Sequence, residues 1–274
     1  MVAYLGEIGS MVEVACAARL ARDTSRPARY LSTIGGSTFA QVGPRTHRVW
    51  DIRLPDTSTP AVISTWQAFV EGEQGRGPWW FISDTAAVTN VLSPRASMLD
   101  ADRVHAGTSQ NGGRMVLPDG AVAGRSWIVQ PGTTLTLPWV DGSHRVPVVA
   151  GVPVTASAWV DGPGAARMRL AIYRADGSVS RQVSGSNAPT STPTRISVTV
   201  TPTSDEASCM IFMGGVTDSY RIARPAMSFT DEVQPWSVGE GAEKVSVSSI
   251  STDPVLAIEG RTYVGASFQV QEVG

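Results

Sequence analysis

The residues that could do chemistry are few and badly placed for it. The three histidines, His47, His105 and His144, fall on three unlike segments, and none stands at a metal-ligand spacing from another. The two cysteines, Cys16 and Cys209, form no CxxC pair. Each sits in an apolar run, Val14-Ala15-Cys16-Ala17-Ala18 and Cys209-Met210-Ile211-Phe212, as a small buried residue would. No GxSxG elbow, no phosphate-cradling P-loop and no strand-GxGxxG-helix unit occurs. A Ser-His-Asp triad is scattered along a chain, so spacing is silent on one. Glu71, Glu73 and Asp84 flank a helix end and an aromatic strand. A glycosidase needs two carboxyl groups about 5–10 Å apart in a cleft, whereas these read as a solvated helix end. Asp205-Glu206 and Asp231-Glu232 read as exposed turn residues. The expectation is a protein that is not an enzyme and holds no metal and no cofactor.

The eight tryptophans offer binding chemistry instead. Trp139 sits in Leu137-Pro138-Trp139-Val140-Asp141-Gly142-Ser143-His144, beside a turn. An indole there packs on a core or a neighbouring subunit, or stacks on a sugar ring. Trp139, Asp141 and His144 are therefore the candidate carbohydrate-binding residues. Trp50, Trp66, Phe69, Phe81 and Trp159 lie on periodic apolar positions and read as structural core.

The elements that would carry these residues are mostly short strands. Over residues 1–54 apolar runs alternate with turns; Trp50, Ile52 and Leu54 share one face, with Asp51 and Arg53 on the other. Thr59 suits an N-cap and Pro60 a first helical position. Val62, Ile63, Trp66, Phe69 and Val70 then make one apolar helical stripe, which Gly72 ends. Trp79-Trp80-Phe81-Ile82 is β-prone, and Asp84 to Pro94 reads as a loop with at most one helical turn. Residues 98–120 are polar and rich in Gly, Ser and Asn, and read as a linker. From 121 to 240 strands alternate with turn signals every 8–12 residues, the pattern of a jelly roll. Residues 225–242, with Pro225, Pro235 and Gly239, read as a return linker. Two alternating strands follow within 243–274, carrying Val245, Val247, Tyr263, Phe268 and Val270.

The expected fold class is mainly β: an N-terminal β-sandwich-type domain with one helix, and an inserted jelly-roll β-sandwich. The first domain spans 1–97 and is completed by 243–274.

Composition bounds the partners. At 274 residues with 42% hydrophobic and 17% charged, the chain can bury a core. A formal net charge of −2 argues against nucleic acid, whose binders need a basic surface. Lys244 is the single lysine among 22 basic residues, a bias that a high-GC genome produces. The first residues lack the basic and apolar regions of a secretory signal, and no apolar run reaches the roughly 20 residues of a membrane helix. A reducing cytoplasm is the expected site of synthesis.

Two segments resemble known families. Arg48-Val49-Trp50-Asp51-Ile52, the helix with Trp66 and Phe69, Gly72, and Gly77-Pro78-Trp79-Trp80-Phe81 with Asp84 resemble the N-terminal domain of phage distal tail and minor tail proteins, over about residues 40–95. Val149 to Val160, Ala223-Arg224-Pro225-Ala226 and Val233-Gln234-Pro235-Trp236-Ser237-Val238-Gly239 are similar to carbohydrate-binding-module-like jelly rolls, over about 121–240. The first resemblance implies a structural virion protein of the tail end. It would form a ring, expected to be a hexamer, joining the tail tube to the tip or baseplate and assembled in the cytoplasm of a high-GC host such as an actinobacterium. The second implies a module that adsorbs to host cell-wall glycan. An enzyme that degrades such glycans is the third alternative.

Overall fold

The computed structural model describes residues 2–14, 19–25, 28–32, 38–42, 47–56, 58–99, 110–132, 134–137, 145–163, 165–186, 190–215, 218–248, 250–258 and 261–273. The chain is mainly β. It divides into two compact units, one of residues 3–12 and 82–241, the other of residues 13–81 and 242–274.

In the unit of 13–81 and 242–274, strands Arg19–Ser25, His47–Arg53, Arg261–Glu272, Ala242–Val247 and Trp79–Ile82 lie side by side in that order. Neighbours are antiparallel, and Ser251–Ile258 folds back on Arg261–Glu272. Period two sets the buried face: Trp50 and Ile52 are buried while Asp51 and Arg53 are exposed. Across the ladder Ile52 meets Phe268 and Trp50 meets Val270, so the C-terminal strand supplies the apolar partners of an N-terminal one. Helix Pro60–Val70 covers this face with Ile63, Trp66 and Phe69. Thr59 stands at the cap position but its side chain makes no capping hydrogen bond, so Pro60 and packing fix the start. The buried stripe is narrower than its spacing predicts, because Val70 is 38% exposed. Trp66 lies 4.2 Å from Phe268 between ring centroids, Phe69 meets Trp79 edge-on at 5.3 Å, and Trp50 meets Phe81 at 5.2 Å. Gly72 leaves the helix at φ +82°, where a side chain would be strained.

The other unit is a β-sandwich of jelly-roll type. One sheet runs Thr190–Val200, Val154–Gly162, Tyr220–Ser228, Val122–Val129, Gln110–Val116. The facing sheet runs Thr134–Leu137, Glu206–Gly215, Ala166–Arg174, Val179–Ser186, with Val146–Pro147 also on Glu206–Gly215. The chain crosses repeatedly between them. Val154, Ala156, Ala158 and Val160 on one sheet, and Met168, Leu170, Ile172, Cys209, Ile211 and Met213 on the other, form the buried layer. Cys209 Sγ lies 3.6 Å from Met227 Sδ, bridging the layer.

The structure revises several sequence expectations. Residues 98–120 are not a linker throughout: Gln110–Val116 is an edge strand paired with Val122–Val129. Its register shifts at Asn111, Gly113 and Met115 accommodate the Gly and Asn residues that made it read as a loop. Asp84 to Pro94 holds helix Asp84–Val88, and Pro94–Ser97 is a second short helix. Ser83 Oγ and Ser93 Oγ accept from Ala86 N and Ala96 N at the two N-caps. Residues 225–242 are docked. Gly239 N donates to Ser97 Oγ, Glu240 N to the Asn90 carbonyl and Gly241 N to the Leu92 carbonyl. A Cβ at Gly239 would strike the Leu92 carbonyl, and one at Gly241 the Val91 carbonyl, so close approach demands glycine at both.

Candidate functional site

Trp139, Asp141 and His144 lie outside the described residues, as do Cys16 and His105 and the side chain of His47. The strands on either side of residues 138–144 are described, and both pair with Glu206–Gly215: Thr136 opposite Phe212 and Leu137 opposite Ile211 on one side, Val146 opposite Cys209 and Pro147 opposite Ser208 on the other.

That shared strand leads to the side of its sheet turned away from the sandwich layer, where Ala171, Tyr173, Ser208 and Met210 are buried and Arg169 and Phe212 half-buried. Cys209 faces the opposite sheet, so alternation turns Ser208, Met210 and Phe212 outward. The neighbouring strand follows in register. Tyr173 lies opposite Ser208, Ala171 opposite Met210, Arg169 opposite Phe212 and Arg167 opposite Gly214. On the next strand Gln182 pairs with Ala171 and Ser184 with Arg169, and both are exposed. Ala171, Tyr173 and Met210 form a small apolar cluster, with half-buried Phe212 packed against it. The Arg145 guanidinium lies 4.0 Å from the Tyr173 ring centroid and donates to the Gly177 carbonyl at 3.2 Å.

Two buried polar atoms on this face, Arg169 Nε and Ser208 Oγ, have no hydrogen-bond partner among the described residues. Leaving such a group dry costs about 1–3 kcal/mol. Hydroxyl-rich ligands suit a face of this kind, where flat rings lie among amide, hydroxyl and guanidinium donors.

The carboxylates are differently employed. Glu206 is buried and accepts two hydrogen bonds from Arg181, at 2.9 and 3.1 Å, and one from Thr203 N at 2.8 Å. It is therefore no exposed turn residue: the arginine and the turn amide satisfy it in place of water. Burial alone would push its carboxyl up, but the Arg181 and Thr203 hydrogen bonds outweigh that and hold it below the usual value. Asp205 remains exposed and pairs with Arg174 at 3.0 Å. Asp161 binds Arg221 through both oxygens. Glu71 and Glu73 are exposed. Burial pushes the Cys209 thiol up to about 12, which leaves it protonated and unreactive. Among the described residues no three His, Cys, Asp or Glu gather at a metal-binding distance.

On the other sheet Trp159 is half-buried and faces away from the layer between the sheets, packing on Met115, Leu117, Ala123 and Ala223. In the second unit a cleft of about 510 Å³ is lined by Ala21, Asp51, Arg53, Ser248, Ser267 and Gln269 among others, and Gln269 Nε2 there donates to Asp51 Oδ1 at 2.7 Å.

No family model matches this sequence. No curated protein matches it either. Solved structures do. The enzymatically active domain of tailspike protein 4 from bacteriophage CBA120 is similar at TM-score 0.39 and 8% identity, over 51% of this chain and 21% of that one. The match thus spans about a fifth of the tailspike chain. The CBM22-1 xylan-binding domain from Paenibacillus barcinonensis Xyn10C is similar at TM-score 0.36 and 9% identity, over 54% of this chain and 99% of that one. The C-terminal family 22 carbohydrate binding module of Clostridium thermocellum Xyn10B is similar at 0.37 and 12%, over 56% and 99%.

Proposed function

We propose that this protein binds carbohydrate without cleaving it, through the outer face of the sheet that holds Arg169, Tyr173, Ser208 and Phe212. One observation carries the reading: an aromatic and hydroxyl-bearing sheet face on which Arg169 Nε and Ser208 Oγ are buried without partners among the described residues. The described buried carboxylates Asp161 and Glu206 support the non-catalytic part, since each is committed to an arginine. Trp139, Asp141 and His144 belong to this proposal because the strands flanking them pair with Glu206–Gly215. The test is binding of the whole chain to a panel of soluble and insoluble polysaccharides. Phe212→Ala and Trp139→Ala should each weaken retention about ten-fold or more, as expected when a ring is removed from under a sugar. Unchanged retention in both variants, or release of reducing sugar by the wild type, overturns the reading.

A second reading places the protein in the virion, as a ring at the distal end of a phage tail in contact with tail-tube and tip or baseplate proteins. It is favoured by the unit of residues 13–81 and 242–274. There the strand, helix and aromatic strand of the tail-protein resemblance pack together, Trp50 on Phe81 and Phe69 on Trp79. Mass photometry supports this reading with a hexamer, and a strict monomer counts against it.

A further inference from the structure

Arg167 and Arg169 lie two residues apart on one strand and point to the same outer face. Among the described residues neither pairs with a carboxylate, and Arg169 Nε has no hydrogen-bond partner. Three other arginines of the sandwich unit are each neutralised by an acid: Arg174 by Asp205, Arg181 by Glu206, Arg221 by Asp161. A third guanidinium, Arg145, stands at the Tyr173 end of the same strand, held by an aromatic ring and a carbonyl and by no acid among the described residues. Among the described residues the register partners of Arg167 and Arg169 are Ser184, Ser186, Phe212 and Gly214, none of them acidic. Strand geometry sets Arg167 and Arg169 about 7 Å apart, and Arg169 about 13 Å from Tyr173.

Resting on the carbohydrate reading above, we propose that the ligand of this face is a linear acidic glycan, lying along Ala166–Arg174 with its carboxylate or phosphodiester groups on Arg167, Arg169 and Arg145. A row of cations with no local counter-charge is costly to hold together in the absence of an anion and is relieved by one. The planar guanidinium fork suits carboxylate and phosphate alike. The protein's formal net charge of −2 disfavours nucleic acid as the source of those phosphates.

The experiment compares polygalacturonate, poly(glycerol phosphate) teichoic acid, neutral xylan and single-stranded DNA as ligands of the full chain, by calorimetry at two salt concentrations. The acidic glycans should bind at least ten-fold more tightly than xylan, and less tightly at high salt. Arg167→Gln, an exposed change that spares folding, should weaken acidic-glycan binding several-fold. Arg167→Gln with Arg169→Gln should weaken it ten-fold or more. Arg167→Lys with Arg169→Lys should keep most of the salt-dependent affinity. A preference for polygalacturonate over teichoic acid, or the reverse, identifies which anion is the ligand. Xylan bound as tightly as the acidic polymers refutes this inference and leaves the carbohydrate reading standing. Binding of none of the three glycans refutes both. DNA bound as tightly as the acidic glycans shows a general polyanion surface and overturns the glycan assignment.

Discussion

Arg48 grips Glu272 through two parallel hydrogen bonds, Nε to Oε2 at 3.0 Å and an Nη2 contact to Oε1 at 2.8 Å, across 224 residues of sequence. The arginine is almost fully buried and the glutamate three-quarters so. Its guanidinium also lies 5.2 Å from the Trp50 ring centroid. Strand pairing and ion pair together make the C-terminal strand part of the fold of residues 13–81.

Removing one partner leaves the other charge buried. Glu272→Ala should therefore destabilise this unit by about 3 kcal/mol, and truncation after Gly241 should abolish its cooperative unfolding. Urea denaturation followed by tryptophan fluorescence measures both. A truncated chain with intact cooperative unfolding of residues 13–81 would show that the return strands are dispensable.

Trp66 and Phe69 fasten the helix to this sheet. Alanine at either should cost about 3–5 kcal/mol, as for other buried aromatics. Thermal unfolding at wild-type temperature in both single variants would contradict the packing on Phe268 and Trp79.

Asn90 is fully buried, and its side chain makes four hydrogen bonds. Nδ2 donates to the Pro225 and Ser237 carbonyls, and Oδ1 accepts from Leu92 N and Met227 N. Asn90→Ala strands buried backbone groups on three segments and should cost about 3 kcal/mol. Hydrogen exchange should rise selectively at Leu92 and Met227; uniform protection would refute this.

Glu206 makes stability depend on pH. Its folded-state value lies below its ordinary 4.5, so its contribution is present above that pH and is lost as pH falls through the folded value. Glu206→Gln should therefore be less stable than wild type at neutral pH, with the gap closing under acid. A gap that stays constant down to the acid transition would show that the Arg181 contacts do not favour the ionised form.

The mainly β fold was legible where burial follows a simple period. Trp50 and Ile52 alternate with Asp51 and Arg53, and Ile63, Trp66 and Phe69 recur at helical spacing. Gln110–Val116 was not legible, because a bulged edge strand tolerates the glycine and asparagine of a loop. Nor was the burial of Glu206, which depends on Arg181, 25 residues away. The outward face of Arg169, Tyr173 and Phe212 escaped notice for a related reason. Ala171, Tyr173, Met210 and Phe212 on the outward face are apolar like Leu170, Ile172, Ile211 and Met213 on the inward one, so periodicity alone does not separate the face packed in the sandwich from the face turned away from it.

The register that sets Phe81 opposite Ala242 also holds together the points where the chain leaves residues 13–81 and rejoins them. They are separated by one strand spacing, about 5 Å. A doorway that narrow begins and ends the excursion of residues 82–241 on adjacent strands, so the ladder of Trp79–Ile82 and Ala242–Val247 closes across its mouth.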